Sequence, residues 1–139
     1  MHTVQRQVTA FHAAGGHLIN DSPKLVDAKT IALRKRLISE EARELFEAMT
    51  NDDLVAVAHE LADLLYVVYG TAISYGIDMQ PVSDEVHRAN MTKFGTPGEY
   101  ANTCDETGKS LKDQDGKTLK PATYKKPNIA EIVALQTGF

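Results

Sequence analysis

The sequence predicts an all-α fold, and three observations carry that prediction. Apolar residues recur at helical spacing in several long segments. Most of those segments open at Asp or Asn caps, and several close at glycines, as helices do. Together they take up roughly 90 of the 139 residues. Residues 3–14 read as a short amphipathic helix with Val4, Val8, Phe11 and His12 on one side, stopped by Gly15 and Gly16. Residues 17–26, with Ser22-Pro23, form a loop. Asp27 caps a long helix reaching about Met49, in which Ile31, Leu33, Leu37, Ile38, Leu45 and Met49 keep helical spacing. Thr50 to Asp53 turn the chain and cap a central helix that runs to about Tyr75 and ends at Gly76. Asp78 caps a further helix over roughly 79–93, ended by Gly95. Pro81 falls in its first turn, where a missing N–H is tolerated.

Composition changes at Gly95. Residues 96–128 are rich in lysine, acid and proline and poor in large apolar groups, which predicts a polar arm with a hairpin around Asp115-Gly116. Pro127-Asn128 then opens a short final helix, in which Ile129, Ile132, Val133 and Leu135 form an apolar stripe. The expected architecture is a bundle of four to five helices in a single domain over 1–139. Its core is about 1–95, and the arm and last helix occupy about 96–139.

A net charge of −4 and a pI near 5.7 give no reason to expect a nucleic-acid duplex or an anionic membrane as partner. One cysteine, Cys104, excludes an intramolecular disulfide and a cysteine zinc site. The segment MHTVQRQVTAFHAAGG lacks the apolar core of a signal peptide, and the apolar run Leu61 to Tyr69 is too short to span a bilayer. A cytoplasmic location is the expectation.

Five carboxylates stand out. Glu40, Glu41 and Glu44 lie in LISEEARELFEAM, and Glu60 and Asp63 lie in AVAHELADLLYVVYGTAISYG. Spacings of three and four put side chains on one helix face, where like charges repel. If the two helices pack antiparallel across the 50–53 turn, Glu41, Glu44, Glu60 and Asp63 converge. An acidic face paired with Arg34, Lys35, Arg36 and Arg43 accounts for Glu40 and Glu47. It does not account for Glu60 and Asp63, because that helix is apolar nearly all round and is expected to be buried. No Lys or Arg occurs between Asn51 and His87. Unpaired buried carboxylates cost several kcal/mol, and a hard divalent cation, Mg²⁺ or Mn²⁺, answers that cost with oxygen ligands. His59-Glu60-x-x-Asp63 lacks the second histidine of a zinc-protease helix, so His59 is read as a helix-face residue supporting the site. Gly108-Lys109-Ser110 and Gly116-Lys117-Thr118 have Thr103 and Leu111 where a phosphate-binding loop needs its first glycine, so neither is such a loop.

Glu40-Glu41-x-x-Glu44 and Glu60-x-x-Asp63, 15 residues apart, resemble the EExxE…ExxD signature of the MazG-like all-α nucleotide pyrophosphohydrolases. That superfamily includes the dimeric dUTPases and phosphoribosyl-ATP pyrophosphohydrolase. LRKRLISEE, HELADLLYVVYG, EVHRANMTK and DGKTLKP are similar to further family segments, so the resemblance covers roughly residues 8–135. It implies cleavage of a nucleoside triphosphate to a monophosphate and pyrophosphate. It implies two or more Mg²⁺ ions per site, with Mn²⁺ able to substitute, and a homo-oligomer, a tetramer favoured over a dimer. By resemblance Glu41, Glu44, Glu60 and Asp63 hold metal, and Glu40 orients or deprotonates the attacking water. Asn90 and Lys93 contact phosphate, with Lys109, Lys117 and Lys120 as further phosphate contacts. Phe11 and His12 lie near the base. A purine such as (d)GTP is favoured over dUTP or dCTP, with nucleotide-pool control as the role, in the host cytoplasm for a phage protein. The competing class is a non-catalytic helical interaction protein that holds a metal for structure alone.

Overall fold

The computed structural model describes residues 1–94, 112–120 and 124–137. Among them are five α-helices: α1 Thr3–Gly15, α2 Ala28–Thr50, α3 Leu54–Tyr75, α4 Met79–Met91 and α5 Ile129–Gln136. A 3₁₀ turn, Thr92–Phe94, follows α4, and the described residues hold no strand beyond the isolated antiparallel bridge Lys112–Thr118. The chain forms two compact units, Met1–Gln80 with Val133–Phe139, and Pro81–Ile132.

The helix ends follow the local chemistry. The Thr30 N–H donates to Asp27 at 2.8 Å and the Ala56 N–H to Asp53 at 3.0 Å, each satisfying an N-terminal amide. The Gln80 N–H donates to Asp78 at 3.0 Å in the same manner. Gly16 and Gly76 close α1 and α3 in the left-handed conformation, with φ of 69° and 73°. At Gly76 a side chain is excluded twice, because a Cβ would also run into the Ser22 carbonyl. The loop before α2 passes over this end of α3. Asn20 and Lys24 donate backbone N–H bonds to Ile73 and Tyr75, and the Asn20 amide donates to Ser74 at 2.6 Å. Loop and glycine thereby satisfy the last carbonyls of the helix.

In the first unit α3 is flanked by α1 and α2. Arg34 on α2 reaches Val67 and Thr71, whereas Glu44, further up α2, meets Glu60, further down α3, so the pair is antiparallel. α1 also runs antiparallel to α3, with Gln5 bonded to the Ile77 carbonyl and Phe11 edge-on to Tyr66. Val8, Leu45, Ala48, Ala72 and Ile73 form a small buried core. Buried with them, Gln5 donates to Ile77 at 2.7 Å and accepts from the Met79 N–H at 3.0 Å, so its amide replaces backbone partners at the turn into α4. Gln136 of α5 does the same for both polar groups of the Asp78 backbone, at 2.8 and 3.0 Å.

Three expectations need correction. Phe11 is 53% exposed, and Gln5 takes the inward position on α1. Arg34 is not part of an acidic surface. It is buried, donating to Thr71 Oγ1 at 3.1 Å and to the Val67 carbonyl at 2.9 Å. The central helix is not buried all round: only Gly70, Ala72, Ile73 and Ser74, toward its C-terminal end, are buried. The opposite stripe, Leu54, Leu61, Leu65 and Val68, lies open. Taken whole, the 22 residues of α3 also reach the length and apolarity of a bilayer span, which the run Leu61 to Tyr69 alone does not.

The second unit is organised on α4. Arg88 donates two hydrogen bonds to Glu85, at 2.8 and 2.9 Å, and the Asn128 N–H donates to the same carboxylate at 2.8 Å. The Arg88 bonds, then the Asn128 amide, hold the Glu85 pKa down to about 2. At the expected hairpin, Asp113 accepts the N–H groups of Asp115 and Lys117 at 2.9 Å, with Gly116 at φ 86°.

Candidate metal centre

The antiparallel register of α2 and α3 sets the site. Ligand-capable oxygens of Glu41, Glu44 and Glu60 lie within 4.8 Å of one another, and those of Glu60 and Asp63 lie within 4.8 Å of a His59 nitrogen and of each other. The two groups share Glu60. These side chains are half-buried, apart from His59, which is exposed with Nε2 3.1 Å from an Asp63 oxygen.

Like charge dominates the electrostatics, although Arg43 lies 3.7 Å from Glu44. Burial raises the Glu41 pKa above the usual carboxylate range, and Glu44, Asp63 and Glu60 push it further in the same direction. Glu60 is raised by burial first and then by Glu44, with His59 opposing. Hydrogen bonding with Glu44 adds a small further push in the same direction on both. One oxygen each of Glu41 and Glu60 is buried with no hydrogen-bond partner. Arg34, the buried cation of α2, spends its bonds on Val67 and Thr71. Two orphaned buried oxygens among hard anionic donors form a group that could hold a metal ion.

The remaining predicted residues are not all gathered here. Glu40 points outward and is half-exposed, 3.8 Å from Arg36. Asn90, on α4, is exposed, and Lys93 lies on the 3₁₀ turn; both belong to the second unit. Lys117 and Lys120 are exposed in the same unit, and Lys109 lies outside the described residues.

Phe11 and His12 are separated by the helix. His12 is buried beside Leu18, whose carbonyl is 3.1 Å from Nδ1. Burial depresses its pKa, which favours the neutral ring, and the carbonyl neighbour favours the tautomer with the proton on that nitrogen. Phe11 faces out, stacked on His17 with centroids 5.6 Å apart. His17, Tyr66 and Tyr124 escaped sequence reasoning. Their only signal was aromatic character in short polar or apolar runs, and their neighbours come from other elements.

The profile of the phosphoribosyl-ATP pyrophosphohydrolase family matches residues 8–90 of this chain, a span that holds all four converging carboxylates and Asn90. An uncharacterized protein of Acanthamoeba polyphaga mimivirus is 31% identical over 100 residues, or 69% of this chain. The matched stretch covers 38% of that relative's length.

Proposed function

The chain belongs to the phosphoribosyl-ATP pyrophosphohydrolase family, and from that premise we propose that it is a divalent-metal-dependent nucleoside triphosphate pyrophosphohydrolase yielding a nucleoside monophosphate and pyrophosphate. The observation that carries this reading is the pair of orphaned buried oxygens on Glu41 and Glu60 inside a converging carboxylate cluster. Glu41, Glu44, Glu60 and Asp63 hold the cations. When bound, Mg²⁺ or Mn²⁺ neutralises triphosphate charge and lowers the pKa of water. Glu40, next in the chain to a ligand and facing water, accepts the proton as the water oxygen bonds to the α-phosphorus. The bond from that phosphorus to the bridging oxygen breaks, and pyrophosphate leaves. Asn90, Lys93, Lys109, Lys117 and Lys120 bind phosphate oxygens. Phe11, backed by His17, offers an exposed aromatic face on which a base can stack.

A second copy of the chain covers the open stripe Leu54, Leu61, Leu65 and Val68, making a homo-oligomer, in keeping with the apolar character of obligate interfaces. A purine (d)NTP is the proposed substrate, with dUTP or dCTP as the alternative. The cytoplasm is the proposed location and nucleotide-pool control the proposed role. Pyrophosphate release across a panel of NTPs and dNTPs with Mg²⁺ or Mn²⁺ is the test. Turnover of a purine dNTP is expected. Turnover of dUTP or dCTP alone would move the base assignment. Metal binding with no turnover and no affinity for a non-hydrolysable NTP would leave a structural metal protein.

A further inference from the structure

His59 stands one turn before Asp63 on α3, and its Nε2 lies 3.1 Å from an Asp63 oxygen. Glu60, next in the chain, offers an oxygen within 4.8 Å of both. Spacings of four and three residues put His59 and Glu60 each beside Asp63. One turn of one helix therefore presents an imidazole nitrogen and two carboxylates together, with no help from the register of α2. The all-oxygen group Glu41, Glu44 and Glu60 does need that register. The two groups meet at Glu60 and differ in donor chemistry.

The contact between His59 and Asp63 has an ordinary reading, a hydrogen bond along a helix face. That reading accounts for their separation and leaves Glu60 out, one of whose oxygens is buried with no hydrogen-bond partner. A cation accounts for all three side chains. Donors about 2.1 Å from one ion, at angles between a right angle and the tetrahedral one, stand about 3.0–3.4 Å apart. His59 and Asp63 already stand in that range. The exposure of His59 leaves the outer side of the position open to water ligands.

Imidazole selects among cations. Mg²⁺ dehydrates reluctantly and takes oxygen, whereas imidazole suits the later first-row ions. We infer that His59 is a metal ligand, and that His59, Glu60 and Asp63 form a mixed nitrogen and oxygen position for a transition-metal ion of the Co²⁺, Ni²⁺ or Zn²⁺ class. This deepens the function proposed above and rests on it for Glu60 and Asp63 as ligands; His59 enters through its geometry. The chain then carries two unlike cation positions, one of oxygen alone and one with nitrogen, joined at Glu60.

The test is calorimetric titration of the nucleotide-free full chain with Co²⁺ and, separately, Mg²⁺, beside proton NMR of the Co²⁺-loaded protein. Co²⁺ bonded to imidazole carries the ring N–H signal far outside the ordinary range. The wild type shows such a signal and His59→Ala lacks it. Loss of an outer partner of a metal ligand already costs about 10–100-fold in affinity, so His59→Ala weakens Co²⁺ binding at one position by at least about tenfold. Mg²⁺ affinity stays within about twofold, because the lost donor is nitrogen. Alanine suits an exposed helical position; circular dichroism checks the fold, and His59→Gln takes its place if His59→Ala does not fold. Glu41→Gln keeps the His59-dependent signal, since Glu41 belongs to the other group. Equal Co²⁺ affinity and stoichiometry in the wild type and His59→Ala overturns the inference, as does a wild-type spectrum with no His59-dependent signal. Equal losses of Co²⁺ and Mg²⁺ make His59 a support for Asp63 and overturn it too. Nucleotide hydrolysis is read separately. A chain that hydrolyses nucleotide and binds Co²⁺ without regard to His59 keeps the proposed function and loses this position. A His59-dependent Co²⁺ signal in a chain that hydrolyses no nucleotide keeps the position and removes the function.

Discussion

Glu41 and Glu60 behave as carboxylates that have been brought together and left without a counter-charge. Glu41→Gln or Asp63→Asn removes a charged oxygen donor, so each is expected to cut turnover to below about a tenth of wild type and to weaken Mg²⁺ and Mn²⁺ binding. Steady-state kinetics beside metal titration checks this, and wild-type turnover in either variant sinks the ligand assignment. The metal-free protein also has a signed pH dependence. Glu41 and Glu60 keep protons in the folded chain at pH values where the unfolded chain has lost them. Stability without metal therefore falls as pH rises from the ordinary carboxylate range through the raised values. Glu85 has the opposite sign. Its pKa is about 2 against an ordinary 4.5, so its stabilising contribution is complete above 4.5 and disappears as pH falls toward 2. Carboxyl NMR titration should find Glu85 at that low value, and Arg88→Ala should return it toward the ordinary one. An unshifted wild-type Glu85 would contradict the observed Arg88 and Asn128 bonds.

At the scale of elements, the caps and stops were legible because their chemistry is local. Asp27, Asp53, Asp78, Gly16 and Gly76 act within a turn of where they stand. The convergence of Glu41, Glu44 and Glu60 was also legible, since a four-residue turn leaves an antiparallel pair few registers. Arg34 and Phe11 were not. Whether a guanidinium is buried depends on the carbonyl it meets on another helix, here that of Val67, and spacing along α2 carries no record of α3. Gly70 shows how closely those helices approach. A Cβ there would lie 2.5 Å from the Arg34 guanidinium and 2.9 Å from His12 Nε2. Gly70→Ala is therefore expected to destabilise the fold by about 1–3 kcal/mol through overpacking. Denaturant unfolding measures it, and a neutral or stabilising result would mean that Arg34 has room to move aside.

On the scale of the whole molecule, the feature that sequence reasoning misjudged is the exposure of α3. An apolar helix implies cover, but sequence alone does not say whether the cover comes from the same chain. Here Leu61 and Leu65 are 49% and 45% exposed. Replacing both with Ser is expected to dissociate the proposed oligomer, because each removes apolar area from the same open stripe. Light scattering reads this directly. A wild-type particle of 15.2 kDa at micromolar concentration would refute the oligomer outright.

The placement of all four carboxylates on the single helical hairpin α2–α3 reaches into the kinetics of folding. Contacts across a hairpin with a short turn are local in sequence, and such contacts form early. The chain must therefore bring like charges together near the start of folding, before most of its apolar surface is covered. In metal-free buffer Glu41→Gln should speed refolding and leave unfolding little changed, and a divalent cation in the refolding buffer should do the same for the wild type. If both instead act only on the unfolding rate, the hairpin closes after the barrier, and the acidic cluster is a burden of the finished protein alone.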